Sequence, residues 1–333
     1  MKKLLLIRPI SSKGTPVSER CNAYLNFFLK NDISVQTYNS PRNIKELISL
    51  YFYIYKCHFR NVFVTMPPFS INWLLCFLPC INVIIDIRDG WSLAIAIGYG
   101  ETVAPQPIKA RIAKFVEFMG IRKAKRTITC THGLQNYLQQ LTQRNILLAM
   151  NGVNEKDIEK VTELKRKKDK KRSKNALIKF VCAGKFSEYG KGKIVSIIKK
   201  LKESYPCNNC LIQIFGADAA ANNWIYSYIE EEKIDNLSLK ILPRISREKL
   251  FSEIIDSDIC ITIIRDPRYD YGTKIFDYIL CEKPILNYFD EENNFTKFFQ
   301  GYLTDSKSTI KNKIYSREEN LNKVGKEILS CLK

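Results

Sequence analysis

The sequence predicts an α/β protein of two domains, each a parallel sheet covered by helices. Two observations support this. Short apolar segments alternate with helical stretches along the chain, and this alternation stops at a charged segment near the middle and then restarts. The 333 residues also exceed the length of one average domain. Ligands of open parallel sheets bind beyond the carboxyl ends of the strands, so we expect the functional residues in loops that follow strands.

The first domain is predicted to span residues 1–154. Apolar runs bounded by turn residues predict its strands, and amphipathic stretches between them predict its helices. The predicted strands are 4–7, 34–38, 61–65, 82–87, 126–130 and 146–149, and the predicted helices are 18–29, 43–55, 71–78, 109–123 and 133–141.

A basic linker or charged helix is predicted over residues 155–175, where ten Lys/Arg and four Asp/Glu lie between Lys156 and Lys174. The second domain is predicted over 176–312, and a final helix over 313–333 can return to the first domain. The predicted strands of the second domain are 178–183, 211–215, 237–242, 259–263 and 285–288, and its helices are 193–202, 224–232, 247–255 and 273–281.

Composition restricts the class of protein and its surroundings. With 45% apolar residues the chain can build full cores, and its net charge of +19 suits phosphorylated small molecules, anionic lipid or nucleic acid, or a solvated basic face without a partner. The longest apolar stretch, 71–85, is interrupted by Asn72, Pro79 and Asn82, so no membrane-spanning helix is expected. Eleven cysteines without an export signal predict reduced thiols in the cytoplasm.

The most informative segment runs from Gly272 to Ile285 and opens a predicted helix. Lys274 and Asp277 are three residues apart, so they share one face of that helix. A helix N-terminus with an added lysine suits a diphosphate, and Asp277 could accept hydrogen bonds from a ribose or sugar hydroxyl. An ordinary amphipathic helix with a polar first turn is the alternative.

This segment resembles the donor-binding motif of glycosyltransferase family 4, in which Pro/Thr-x-Lys-x-x-Glu-Tyr precedes Gly-Lys-Pro. Lys274 and Tyr278 match, whereas Asp277 replaces the usual glutamate and Glu282 replaces a common glycine. The resemblance implies the GT-B fold, with two Rossmann-like domains facing each other across a cleft. It also implies a nucleotide-sugar donor, with no cofactor and no metal.

Other loops are similar to the same family in consistent order. In Ala183–Gly192, Lys185 and Lys191 lie where family members clamp the nucleotide diphosphate. Gly216 lies in a turn that packs beneath the nucleotide, and Gly14 corresponds to a glycine that lets the backbone approach the donor phosphate. The resemblance thus implies a donor site formed by Gly14, Lys185, Lys191, Gly216, Thr273, Lys274 and Asp277.

Acceptor-side residues are expected where an apolar strand ends in Asp86-Ile-Arg-Asp89. Charges at such a place are costly unless they are paired or used. The tract resembles an Asp-x-Arg-Asp-x-Trp motif of family 4, which implies that Asp89 acts near the acceptor or the reacting sugar carbon and that Arg88 orients it or contacts phosphate. A structural Asp–Arg pair is the alternative. His132, at a strand end, is a candidate substrate contact.

The resemblance implies transfer of a sugar, with retention, from a UDP- or GDP-sugar to a glycan or a polyprenyl-diphosphate-linked acceptor in polysaccharide or O-antigen synthesis. The implied catalytic residues are Asp89, Lys185, Lys191 and Asp277. The stretch Leu47–Tyr55 with Lys45, Lys56 and Arg60 could rest on the anionic inner face of the plasma membrane.

Two alternatives remain. A nucleotide-sugar 2-epimerase of the same fold would need acid–base residues around the sugar, and the sequence has only two histidines. A basic nucleic-acid-binding protein is less favoured, because the basic run lacks interleaved aromatics and known nucleic-acid-binding motifs.

Overall fold

The computed structural model describes residues 2–11, 14–98, 103–167, 177–304 and 313–332. The chain divides into two compact units. Unit 1 comprises Met1–Gly98, Ala104–Gly152 and Ser316–Lys333, and unit 2 consists mainly of Val153–Tyr315. Each unit contains one parallel sheet with helices, so the predicted α/β fold class is confirmed.

The sheet of unit 1 has the strand order β2-β1-β3-β4-β5-β6, and its paired strands are all parallel. Every residue of β3 and β4 is buried, which explains their nearly continuous apolar sequences. The strands are β1 (Lys3–Arg8), β2 (Ser34–Asn39), β3 (Asn61–Met66), β4 (Asn82–Ile87), β5 (Arg126–Thr129) and β6 (Ile146–Leu148).

The helices of unit 1 follow the strands in the manner of successive βα units. Several begin at a side chain that caps the first turn; Thr15, for example, forms a reciprocal capping box with Ser18. The helices are α1 (Pro16–Lys30), α2 (Ile44–Lys56), α3 (Ile71–Cys76), α4 (Trp91–Ala96), α5 (Pro107–Lys123) and α6 (His132–Thr142).

Unit 2 has a parallel sheet with the order β11-β10-β7-β8-β9. Its strands are β7 (Leu177–Ala183), β8 (Asn209–Phe215), β9 (Leu237–Leu242), β10 (Ile259–Ile261) and β11 (Ile285–Leu286). Its helices are α7 (Glu155–Lys167), α8 (Lys191–Ser204), α9 (Ala219–Asn222), α10 (Trp224–Glu231), α11 (Arg247–Asp256), α12 (Lys274–Leu280) and α13 (Asn294–Phe299). Of the predicted basic segment, 155–167 form α7, and 168–175 lie outside the described residues.

The last helix, α14 (Arg317–Ser330), belongs to unit 1 and packs against α1. Leu321, Val324 and Ile328 join Phe27 in the apolar core on one side of the sheet. The other side is covered by α2, α3, α5 and α6, whose buried side chains form a second core. In the described part of the chain, no helix combines the length and apolar character needed to cross a bilayer.

Candidate functional site

The strand-end loops of unit 2 lie side by side, because β10, β7 and β8 are neighbours in a parallel sheet. The strand pairing continues into the loops: the N–H of Gly184 donates to the Phe215 carbonyl at 2.8 Å, and that of Gly216 to the Leu242 carbonyl at 2.9 Å. Both glycines have positive φ angles, +102° and +85°, which other residues adopt at a cost. The predicted Gly216 turn is thus tied to the end of β9.

Glu188 holds the loops after β7 and β8 together. Its carboxylate accepts hydrogen bonds from the N–H groups of Phe186 (2.8 Å) and Asp218 (3.0 Å) and from the amide of Asn222 (3.0 Å). Asn222 in turn accepts from the N–H of Ser187 at 2.9 Å. Partial burial acts to raise the pKa of Glu188, but the hydrogen bonds outweigh it and the pKa is lowered. The two loops therefore form one braced structure.

Basic side chains from different loops lie at this edge. The Lys185 ammonium is 5.7 Å and the Arg265 guanidinium 5.6 Å from the ring centroid of Tyr189. Lys185 follows β7 and Arg265 follows β10, so adjacent strands bring these two cations onto one aromatic ring. Lys191 begins α8, with its ammonium 5.2 Å from the Trp224 ring. The sequence singled out Lys185 and Lys191 but missed Arg265.

Lys193 has a different role from the neighbouring Lys191. Its side chain is buried, and its ammonium donates to the carbonyls of Ile264 (3.1 Å) and Arg265 (2.5 Å). A buried ammonium needs such acceptors. Lys193 thereby fixes the start of α8 to the loop that carries Arg265.

Lys274 and Asp277 do lie on one face of α12, with Lys274 Nζ 3.2 Å from Asp277 Oδ2. The Asp277 carboxylate is nearly buried, and Arg247 of α11 donates to both of its oxygens at 2.7 and 3.3 Å. Arg247 also donates to Asp157 of α7 at 2.8 Å. Burial acts to lower the pKa of Arg247, but the carboxylates of Asp277 and Asp157 outweigh it and the pKa is raised. The sequence indicated neither Arg247 nor Asp157 as a partner of this motif.

The segment before and within α12 is also anchored to the sheet. The N–H of Ala183, at the end of β7, donates to the Tyr278 hydroxyl at 2.9 Å. Gly272 has a positive φ of +66°, and its N–H donates to Asp270 at 2.8 Å. Thr273 and Lys274 follow this turn and are partly exposed. The Tyr278 contact ties the helix carrying Lys274 to the strand that precedes Lys185.

In unit 1, Asp86 is fully buried within β4. Arg20 donates to its two oxygens at 2.6 and 2.9 Å, and the Tyr24 hydroxyl donates at 3.0 Å. Arg20 also donates to the Ala149 carbonyl at 2.8 Å. A structural Asp–Arg pair is therefore present, but its arginine is Arg20 of α1. Asp86 is removed from solvent, so it offers no direct contact to an acceptor.

Arg88 and Asp89 lie at the surface end of the same strand. Arg88 is half-buried, and its Nε donates to the Met66 carbonyl at 2.9 Å, joining the loop after β4 to the loop after β3. Asp89 is exposed. His132 begins α6 after the neighbouring β5, and burial lowers its pKa. Asp89 and His132 thus follow adjacent strands at one edge of the sheet.

Glu117, which the sequence did not single out, supports the tract after Asp89. It lies buried in α5 and accepts hydrogen bonds from the N–H of Trp91 (2.8 Å) and from the N–H and hydroxyl of Ser92, at the start of α4. The Ser92 hydroxyl is also 2.7 Å from that of Tyr137. Burial raises the pKa of Glu117 to about 7 despite these donors.

Gly14 follows β1 with a φ of +78°, and among the described residues no heavy atom beyond its chain neighbours lies within 4 Å of the position a Cβ would take. The backbone there is open to close approach, whereas the neighbouring Lys13 lies outside the described residues. Across the described ranges, no three His, Cys, Asp or Glu side chains converge in a way that could hold a metal ion.

Solved structures with similar folds cover nearly the whole chain. Anabaena Alr3699/HepE in complex with UDP and glucose shares 12% identity over 98% of this chain and 90% of that chain, with a TM-score of 0.57. An α-glucosyltransferase in complex with UDP and mismatched DNA shares 12% identity over 99% of this chain and 92% of that chain, with a TM-score of 0.50. The UDP-GlcNAc 2-epimerase from Methanocaldococcus jannaschii shares 13% identity over 98% of this chain and 92% of that chain, with a TM-score of 0.50.

No protein-family model matches the chain, and no curated protein sequence matches it. The similar structures establish the fold: two α/β units with parallel sheets, as in the GT-B class to which these glycosyltransferases and epimerases belong.

Proposed function

We propose that this chain is a glycosyltransferase that uses a nucleoside-diphosphate sugar. The observation that carries the proposal is the set of basic side chains on the strand-end loops of unit 2 and at the start of the helices that follow them, namely Lys185, Arg265, Lys191 and Lys274. Cations on loops that the sheet holds in place suit a diphosphate, whose charge grows as it leaves. The UDP ligands named for similar structures favour UDP as the nucleotide.

In the proposed reaction the bond between the sugar C1 and the diphosphate oxygen breaks, and a bond from the acceptor oxygen to C1 forms. The acceptor proton passes to an oxygen of the departing diphosphate. Lys185, Lys191 and Lys274 stabilise the charge on that group, and Thr273 lies beside Lys274 at the donor. The nearly buried Asp277 holds Lys274 in position through their ion pair. Catalysis then rests on positioning and charge stabilisation.

The finer part of the proposal concerns the acceptor. We assign Asp89, with Arg88 and His132, to the acceptor side, because these residues follow adjacent strands at one edge of the unit 1 sheet. Gly14 leaves open backbone in the loop after β1. We further propose that the chain is a member of family 4 and that the transfer retains the configuration at the sugar C1. The proposed acceptor is a glycan or a polyprenyl-diphosphate-linked molecule in cell-surface polysaccharide synthesis.

Nucleotide binding is the first test. Thermal shift and calorimetry with UDP, GDP, UDP-glucose and UDP-GlcNAc should show stabilisation by the preferred nucleotide. Lys185→Ala and Arg265→Ala should each weaken its binding about tenfold or more, since charge-assisted hydrogen bonds to phosphate are lost. Lys199→Ala, an exposed lysine further along α8, is the matched control and should bind as the wild type does. Stabilisation by no nucleotide, or equal affinity in all variants, would contradict the proposal.

A 2-epimerase is the second candidate, because the epimerase structure matches this chain as well as the α-glucosyltransferase structure does. The two are separated by incubation with UDP-GlcNAc in D₂O. Epimerisation through loss of the C2 proton introduces deuterium at C2 without an acceptor, whereas a transferase releases UDP and leaves C2 unlabelled. Deuterium at C2 would replace our proposal with the epimerase.

A further inference from the structure

Large apolar side chains are exposed in one region of unit 1. The described part of the chain has fifteen exposed large hydrophobic residues. Eight of them belong to three helices, α2, α3 and α5, and a ninth, Phe77, directly follows α3. The nine are Ile44, Ile48, Phe52, Trp73, Phe77, Ile108, Ile112, Phe115 and Met119. Large exposed apolar patches mark sites of interaction with proteins or membranes.

The three helices form one layer on one side of the sheet. Leu50 of α2, Leu74 of α3 and Ile121 of α5 all belong to the same core cluster beneath them. The helix α3 contacts both α2 and α5, and at Gly120 a Cβ would come within 2.6 Å of the Asn72 side chain. Because their buried sides share one core, the exposed sides of the three helices face away from the sheet together.

The helix α5 is apolar on two faces. One face, which includes Ala113 and Val116, is buried. The other carries Ile108, Ile112, Phe115 and Met119, spaced by four, three and four residues, with exposures of 75, 53, 59 and 38%. This spacing places all four on one stripe of the helix. The stripe has the form of an interfacial helix surface that enters an apolar medium.

The charges on these helices select the partner. Their exposed basic residues are Lys45, Lys56, Lys109, Arg111, Lys114 and Arg122. Their one exposed acidic residue is Glu46, and its oxygens accept hydrogen bonds at the start of α2, while Glu117 is buried. A second copy of the chain would place like charges against each other, whereas an anionic lipid surface complements them.

We infer that the surface formed by α2, α3 and α5 docks on an anionic bilayer. Trp73, Phe77, Ile112 and Phe115 enter the boundary between head groups and acyl chains, and the lysines and arginines beside them lie among the head groups. The inference does not depend on the proposed transfer reaction. It extends the expected lipid-facing surface from α2 to α3 and α5.

Sedimentation with vesicles tests this inference. The full chain should bind vesicles of phosphatidylcholine mixed with phosphatidylglycerol much more strongly than vesicles of phosphatidylcholine alone. The double variant Ile112→Ser/Phe115→Ser should lose at least tenfold in partitioning. The triple variant Lys109→Gln/Arg111→Gln/Lys114→Gln should lose more than tenfold at low salt, since each basic residue near an anionic surface contributes about fivefold.

Leu29→Ser is the matched control, because Leu29 is 52% exposed, like Ile112, but lies on α1 at the other side of the sheet. It should bind vesicles as the wild type does. Circular dichroism and UDP binding show whether each variant is folded, and they report on the proposed function separately. Equal binding to both vesicle types, no binding, or unchanged binding in both surface variants would overturn the inference. Self-association that the double variant abolishes, without vesicle binding, would assign the surface to a second copy instead.

Discussion

Arg247 of α11 donates hydrogen bonds to both carboxylate oxygens of Asp277 on α12, although thirty residues separate the two in sequence. The Asp277 side chain is 4% exposed, so its charge depends on the partners it has inside unit 2. The same guanidinium pairs with Asp157 of α7. Arg247 therefore joins three helices around the carboxylate that holds Lys274 in position.

The first prediction is that Arg247→Met destabilises the protein. It leaves Asp277 with Lys274 alone and Asp157 without its guanidinium, and because Arg247 itself is partly exposed we expect a loss of about 2 kcal/mol. Chemical denaturation measures this loss of folding stability. Lys249→Met, at an exposed position of the same helix, is the control. Equal stabilities of the two variants would show that the network contributes nothing to folding.

The second prediction concerns the hydrogen bonds of Glu188. Glu188→Gln should reduce nucleotide affinity, because the amide keeps only one acceptor oxygen and the loop with Lys185 is held less firmly to Asp218 and Asn222. The pKa of Glu188 is lowered in the fold, so its carboxylate stabilises the protein above its ordinary pKa of 4.5, and this stabilisation disappears as the pH falls through the lowered value.

Melting temperatures of wild type and Glu188→Gln, measured from neutral to acidic pH, check the second prediction. The difference between them should shrink as the pH falls below 4.5. Glu230→Gln, at an exposed position of α10, should differ little from the wild type at any pH. A difference that grows in acid would contradict the proposed role of the carboxylate.

The strands and the face of α12 could be predicted from sequence for clear physical reasons. Strands buried on both sides, such as β3 and β4, must be continuously apolar, and a spacing of three residues places Lys274 and Asp277 together in any helix. The loops that follow the strands are where the notable residues lie, because strand ends meet at one edge of a parallel sheet.

The partners of those residues could not be predicted, because they come from distant parts of the chain. Arg20 reaches Asp86 across 66 residues, and Arg265 joins Lys185 only because β10 pairs with β7. The six-residue helix α4 was missed, since its apolar sequence has no helical periodicity and its start is capped by Glu117 from another helix. The exposed stripe of α5 was missed because apolar residues also occupy its buried face.

The third prediction is a pH dependence caused by Glu117. Its pKa is about 7 in the fold against an ordinary value of 4.5, so between these values the folded state keeps a proton that the unfolded state has lost. Stability from this group is thus complete below pH 4.5, declines as the pH rises to 7, and is constant above that. The total decline is of the order of 3 kcal/mol.

Glu117→Gln should remove this decline, because the amide does not titrate and can still accept from the Trp91 N–H. Denaturant midpoints at several pH values between 4.5 and 8 measure it. Glu230→Gln should retain the slope of the wild type. If Glu117→Gln retained that slope as well, another group would be responsible for the pH dependence.

The fourth prediction compares two helical glycines. A Cβ at Gly325 in α14 would come within 2.8 Å of the Phe27 ring. At Gly192 in α8, by contrast, no heavy atom of the described residues, apart from its chain neighbours and the backbone of its own helix, lies within 4 Å of a Cβ. Gly325→Ala should cost about 1–3 kcal/mol by overpacking the contact between α1 and α14. Gly192→Ala should be neutral or slightly stabilising, because alanine favours the helix. Thermal denaturation of both variants measures these stability changes. A stabilised Gly325→Ala would show that α14 does not pack tightly on α1.

The fifth prediction separates the two aspartates of the Asp86-Ile-Arg-Asp89 tract. Asp86→Asn should destabilise unit 1 by about 3–5 kcal/mol, because it leaves the buried Arg20 without its carboxylate. Asp89→Asn should leave the melting temperature unchanged, because Asp89 is exposed. It should nevertheless lower the rate of sugar transfer about a hundredfold with little effect on UDP binding, since we assign it to positioning the acceptor and not to the donor. Unfolding and transfer assays on both variants test this contrast, and full transfer activity in Asp89→Asn would remove Asp89 from the proposed catalytic residues.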